Sequence, residues 1–397
     1  MSGIGENKQG LRVLICGSIV QLFLGILYVW SVFVRPVSEF YQWDIESVKL
    51  TTSFMLCFFV IGIQVGGKLQ TKTGTDKMVL AGGLMLALGM LASAFLPPAA
   101  GFLIYVTYGI IGGFGVGAGY NAIITASQTW FPKNRGFAVG VSVCAFGFAT
   151  VIFAPLIEIL VAQFNVKNTF IILAAGFFIV TIALFRFIRL PDSAQGGPVS
   201  VALMAKKQYT VTEAIRTKEF YFITLCMMFG AATFFILNPS FITLAIERGL
   251  DPSTGMIIVM LTGVASALGR LGAPLLSDKF GREKTAMLSG LFTMICTVLL
   301  VFVQGFPFIG AIIIIAFCYG GGSGLFPVLI VDYFGIKNVG SNFGAVMIGF
   351  AVSAFTFPVI MTFIDSMTVK FVVLAAMSAI AILLMVLLYI SKKKNSL

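Results

Sequence analysis

Stretches of about twenty apolar residues, each long enough to cross a bilayer as a helix, recur along the whole of this 397-residue chain. They lie near 11–34, 48–67, 78–98, 101–126, 136–160 and 168–190, and again near 219–246, 253–276, 285–304, 307–331, 341–364 and 368–391. Lipid is the solvent for such a chain, because 10% of its residues are charged and an ordinary water-facing domain carries about 25%. Within lipid each backbone amide must find its partner inside its own segment, so the expectation is an all-α integral membrane protein of twelve transmembrane helices. The chain has no histidine, which removes the commonest metal ligand and the usual base of a nucleophilic triad. Its six cysteines all fall inside apolar runs, without a CxxC pair, and read as packing. No cofactor, metal or enzymatic activity is expected.

A net charge of +11 raises nucleic acid as a partner, but the positions of the charges exclude it. Lys and Arg sit in short clusters between the spans, and twenty of the 26 fall on the side of the two termini, among them Lys72, Lys133, Arg135, Lys279, Arg282 and Lys392 to Lys394. Five lie on the opposite side, and Arg270 lies within a span. By the positive-inside rule both termini face the cytoplasm of a multi-pass protein of the cell (plasma or inner) membrane, with lipids as neighbours and a monomer as the expected state. The run after the polar first ten residues is too long for a signal peptide and is expected to stay as the first span.

The longest polar stretch, 191–218, carries Pro191, Gly196, Gly197 and Pro198 and divides the spans six and six. The expected organisation is residues 1–190, a cytoplasmic linker 191–218, and residues 219–397. Internal repeats agree. Leu69, Lys72, Gly74 and Lys77 recur as Leu276, Lys279, Gly281 and Lys284 at an offset of 207, and Trp130-Phe131 and Pro155 recur as Tyr333-Phe334 and Pro358 at an offset of 203. Two pseudo-symmetric six-helix bundles are predicted, with a substrate site at their interface near the midplane.

The segment Pro274-Leu-Leu-Ser-Asp278-Lys279-Phe-Gly281-Arg282-Glu-Lys284 resembles the loop signature of the major facilitator superfamily. The resemblance implies gating by Asp278, Lys279 and Arg282, with Lys72 in the first copy, where Thr71 and Thr75 replace the acid and the arginine. A narrower resemblance, to the oxalate/formate antiporter family and its monocarboxylate-transporter kin, rests on several segments. These are Gly25 to Pro36 with Tyr28 and Trp30, Gly117-Ala-Gly-Tyr120, Trp130-Phe-Pro-Lys-Asn-Arg135-Gly136, Leu268-Gly-Arg270, and Gly320-Gly-Gly-Ser323-Gly-Leu-Phe-Pro327. It implies a secondary carrier working by alternating access, with Tyr28 and Tyr120 lining the cavity.

Arg270 is the one Lys, Arg, Asp or Glu well inside a span. Placing an arginine there costs about 2.5–3.5 kcal/mol on insertion scales and calls for a partner. A substrate carboxylate matches the planar guanidinium fork in two hydrogen bonds. Snorkelling to the headgroups is the alternative, although helical side chains lean toward their N-terminus, here toward the midplane. In the resembled family this arginine binds substrate. Oxalate carriers of that family also have a lysine eight residues after the Asn of an Asn-aromatic-Gly triplet, and here Asn342-Phe343-Gly344 leads to Phe350. With one cation in place of two, a monocarboxylate (lactate, pyruvate or formate) is favoured over oxalate/formate or other dicarboxylate antiport. Proton symport and anion exchange both stay open, because Ser266 stands where animal relatives place an aspartate.

Tyr319 and Ser323 occupy family positions of a Trp and a Tyr and suggest a cavity of different shape. Asn121, Asn238 and Gln64 are amides in apolar runs, read either as ligands or as glue between helices. The glycine string 113–119 lacks GxGxxG spacing and binds no dinucleotide. Pro155, Pro239, Pro327 and Pro358 are expected to kink their helices, and most of the 40 phenylalanines to face lipid.

Overall fold

A computed structural model describes residues 2–191, 207–238, 244 and 246–395; residues 192–206 of the expected linker, and Pro239, lie outside them. The described chain is helical. In order come α1 (Ser2–Leu24) and α2 (Trp30–Tyr41), joined by a 3-10 stretch Gly25–Val29, then α3 (Ile45–Thr73) and α4 (Thr75–Ser93). A π-helical segment Tyr105–Gly112 leads into α5 (Gly113–Trp130), followed by α6 (Arg135–Leu184). The second half holds α7 (Lys218–Leu237), α8 (Pro252–Phe280), α9 (Arg282–Phe302), α10 (Gly305–Phe334), α11 (Val339–Thr362) and α12 (Met367–Asn395). Among the described residues ten helical stretches are long and apolar enough to cross a membrane. One of them contains α6, whose 50 residues are broken at Asn165 (φ 66°), and α8 adds a further 29-residue helix. The architecture is the twelve-helix one.

Local chemistry starts and stops these helices. Asp44 caps α3 by accepting from the Ser47 amide (2.8 Å), and Thr217 caps α7 by accepting from Phe220 (3.3 Å). Asn165 starts the second arm of α6, its side chain accepting from the Asn168 amide (3.0 Å) in a left-handed conformation that Asn tolerates. Gly74 and Gly281, related by the repeat, stop α3 and α8 with φ of 95° and 93°, and each amide reaches back four residues, to Gln70 and Ser277.

The chain forms two compact units. Unit 1 is Met1–Lys133, Ala145–Gln208 and Gly335–Gly344; unit 2 is Asn134–Cys144, Tyr209–Phe334 and Ala345–Leu397. In unit 1 the core is aromatic: Trp30 (1% exposed) donates to the Val48 carbonyl (3.0 Å) and packs against Tyr108, while Phe33 stacks on Phe170. Phenylalanine serves in both places: Phe33, Phe146, Phe170, Phe308, Phe334 and Phe371 are fully buried, while Phe95, Phe102, Phe302, Phe306 and Phe363 are among those exposed. Rings fill cores here because dispersion packing, rather than water exclusion, holds helices together in lipid.

In unit 2, α8 and α10 approach to backbone contact. A Cβ on Gly269 would meet the Phe317 carbonyl, and one on Gly320 would meet that of Ser266. Gly310, on the same helix as Gly320, has open space around it. Gly320→Ala should lower the melting temperature of the purified protein by several degrees and Gly310→Ala should leave it unchanged or raised, as read by thermal unfolding in detergent. Equal effects at the two positions would contradict the α8–α10 contact.

Candidate functional site

The backbone contact of α8 with α10 fixes what the adjoining residues do, because Arg270 follows Gly269 and Tyr319 precedes Gly320. Arg270 is 5% exposed, and its Nε donates to Ser323 Oγ at 3.2 Å. The Ser323 hydroxyl in turn donates to the Gly320 carbonyl at 2.7 Å. Tyr319 lies flat on Phe234, with ring centroids 3.9 Å apart, and Phe350 meets Phe235 edge-on at 4.9 Å. Tyr319, Ser323 and Phe350 share the wall of a cavity of about 40 Å³ with Met227, Gly230, Ala231, Cys318, Gly322 and Phe326. Four residues singled out in the sequence thus meet in unit 2: a buried cation, the hydroxyl that orients it, and two aromatic walls.

In unit 1, Tyr28 lies in the 3-10 stretch between α1 and α2 and Tyr120 lies on α5. Both meet the same ring edge-on, with Phe146 5.5 Å from Tyr28 and 4.9 Å from Tyr120. Gly25 allows this by packing against the Phe146 carbonyl, where a Cβ has no room. Asn121 is 1% exposed, and its Nδ2 donates to the carbonyls of Ile63 (2.8 Å) and Gly340 (3.0 Å). Both amide hydrogens are engaged with backbone, so of the two sequence readings the helix tie is the one this geometry matches.

The gating candidates separate. Asp278 pairs with Arg282 (2.6 Å) and accepts from the amides of Gly136 (3.1 Å) and Phe137 (3.0 Å), placing a carboxylate at the N-terminus of α6, where the helix dipole favours it. Lys279 and Lys72 are exposed at the last turns of α8 and α3 and stand outside this network. Sequence reasoning missed the other half: Asp332 binds Arg135 (2.8 Å) and Arg282 (3.3 Å), so two carboxylates and two guanidinia alternate at one end of unit 2. The repeat offsets carry a signal for it. Asp278, Arg282 and Asp332 of the second copy align with Thr71, Thr75 and Thr129 of the first, and Arg135 of the first copy aligns with Asn338 of the second, so the four charges have only neutral counterparts. A second missed group is Glu283, whose side chain is 5% exposed; it accepts from Lys392 (2.6 Å) and Tyr333 (2.8 Å) and ties the end of α12 to α9 and α10.

Comparison with known proteins agrees with this architecture. The profile of the Major Facilitator Superfamily matches residues 13–237 and 220–397. Relatives include the uncharacterized MFS-type transporter YhjX of Escherichia coli (strain K12), 25% identical over 88% of this chain and 87% of its own length. The oxalate:formate antiporter of Oxalobacter formigenes is 27% identical over 81% of this chain and 76% of its own length. Monocarboxylate transporter 13 of Bos taurus is 23% identical over 65% and 58%. Among solved structures, the transporter FucP in the outward conformation superposes with a TM-score of 0.74 at 14% identity, covering 95% of this chain and 98% of its own. The proton:xylose symporter XylE gives 0.71 at 14% identity over 96% of both chains, which speaks to fold alone. The chain is a membrane transporter, not an enzyme, and belongs to the Major Facilitator Superfamily.

Proposed function

We propose that this transporter carries small organic monocarboxylates (lactate, pyruvate or formate in class) by alternating access between halves 1–190 and 219–397, with Arg270 as the carboxylate anchor. The observation that carries the reading is the burial of Arg270 beside the cavity, with its Nε held by Ser323. A snorkelling arginine keeps its head in water, whereas this one is 5% exposed. Guanidinium and carboxylate match as two parallel N–H···O bonds, and an anion on Arg270 lowers the cost of closing protein around a charge. The names of two relatives, an oxalate:formate antiporter and a monocarboxylate transporter, support an organic anion. Phe350, 6% exposed at the position where oxalate carriers place a lysine, favours one carboxylate over two. Tyr28 and Tyr120, both against Phe146, are proposed as substrate-contacting residues of the first half. Coupling is by proton symport or anion exchange; uptake with and without a pH gradient separates them.

Asp278, Arg282, Asp332 and Arg135 are proposed as a gate formed in one state and broken in the other. The basic loops support termini on the cytoplasmic face.

In proteoliposomes Arg270→Gln should lower uptake of labelled lactate, pyruvate or formate by roughly 100-fold, because the variant leaves the carboxylate without its charged partner. Parental rates for all three would remove the anchor role. Labelled oxalate should show no counterflow with the parent; robust oxalate exchange would favour the dicarboxylate reading. Asp278→Asn should slow the maximal rate about tenfold, in line with the loss of a charged hydrogen bond, while apparent affinity for lactate changes little. A loss of affinity with no change in rate would place Asp278 outside the gate.

A further inference from the structure

The cavity beside Arg270 has the dimensions of a gauge for the tail of a carboxylate. Ser323 spends its proton on the Gly320 carbonyl and turns a lone pair toward Nε of Arg270, so the guanidinium is oriented from one edge by a residue that also stands in the cavity wall. Ser323 is the link between the two, since it accepts from Arg270 and stands in the wall of the cavity. The walls are mostly apolar and two of them are braced, Tyr319 by its stack on Phe234 and Phe350 by the edge of Phe235. The space between these walls is about 40 Å³, in a recess that is open on one side. One water-sized group needs about 10–15 Å³ of such space, so it holds a tail of about three non-hydrogen atoms.

Resting on the carboxylate reading of Arg270, we infer that this cavity is a tail-length filter in which Gly322 and Phe350 set the limit. Monocarboxylates with two or three tail atoms, the size of propionate, butyrate, lactate or pyruvate, are then preferred over formate and acetate and over five-carbon acids. Formate leaves the apolar wall without a partner, and a fourth tail carbon meets a braced ring. Each methylene that fits is worth about tenfold in discrimination, and each that does not fit costs as much. Gly322 is the position at which size can be changed without disturbing the fold. A Cβ there meets the Phe326 ring at 3.7 and 4.0 Å, ordinary contact distances, and Phe326 is itself in the cavity wall.

The test is a ratio, which is independent of how much protein is active. Uptake of labelled formate, acetate, propionate, butyrate and valerate is measured in proteoliposomes for the parent, Gly322→Ala and Phe350→Leu. The parent should peak at propionate or butyrate. Gly322→Ala should lower the butyrate-to-acetate ratio at least about fivefold, and Phe350→Leu should raise the valerate-to-butyrate ratio by a similar factor. If the acids are carried but both ratios stay at the parental value, the filter is overturned and the carboxylate anchor stands. If the parent carries none of the series, the anchor reading fails and the filter fails with it.

Discussion

A guanidinium inside a bilayer is tolerated only where protein surrounds it, and the rest of unit 2 is arranged around that requirement. Gly269 and Gly320 let α8 and α10 meet backbone to backbone, which brings Ser323 within hydrogen-bonding distance of Arg270 and keeps lipid away from it. The same contact sets Tyr319 against Phe234 and closes one side of the cavity. Small residues at a helix interface and a polar side chain across it are the usual means by which membrane helices associate. In this protein those means also hold the buried Arg270, the residue proposed here as the anion's anchor.

The two repeats have diverged in charge while keeping their backbone. Gly74 and Gly281 adopt nearly the same left-handed conformation after equivalent helices. Around them, one copy has Asp278, Arg282 and Asp332 and the other has threonine at each place. Ion pairs with side chains 11–22% exposed form in unit 2, and breaking them costs far more than separating neutral hydroxyls. The proposed gate is therefore electrostatic on one side of the pseudo-symmetry and rests in unit 1 on close packing, with Gly67 against Gly340 and Asn121 donating to the Gly340 carbonyl.

Most of the architecture was legible in the sequence because hydropathy and span length leave few choices in lipid. The break at Asn165 falls in the expected loop between 160 and 168, and Arg270, Tyr319, Ser323 and Phe350, chosen separately, line one corner of unit 2. What stayed hidden depends on tertiary partners. The π-helical turn at Tyr105–Gly112 leaves no mark in hydropathy. Asp332 directly follows an apolar run in the sequence, and only its distance from Arg135 and Arg282 shows it to be shared. For Asn121 the sequence leaves both ligand and helix glue open, and its bonds to the Ile63 and Gly340 carbonyls match the glue. Which phenylalanines turn inward was also hidden, because a ring serves equally well against lipid and within a core.

The central claim is that the negative charge of the guest, and not merely its shape, is recognised. Competition against labelled propionate on purified protein tests this most directly, with unlabelled propionate and its neutral isostere propionamide as competitors. Recognition by Arg270 requires propionamide to compete roughly 100-fold more weakly than propionate. Equal competition by the amide and the acid would contradict the account.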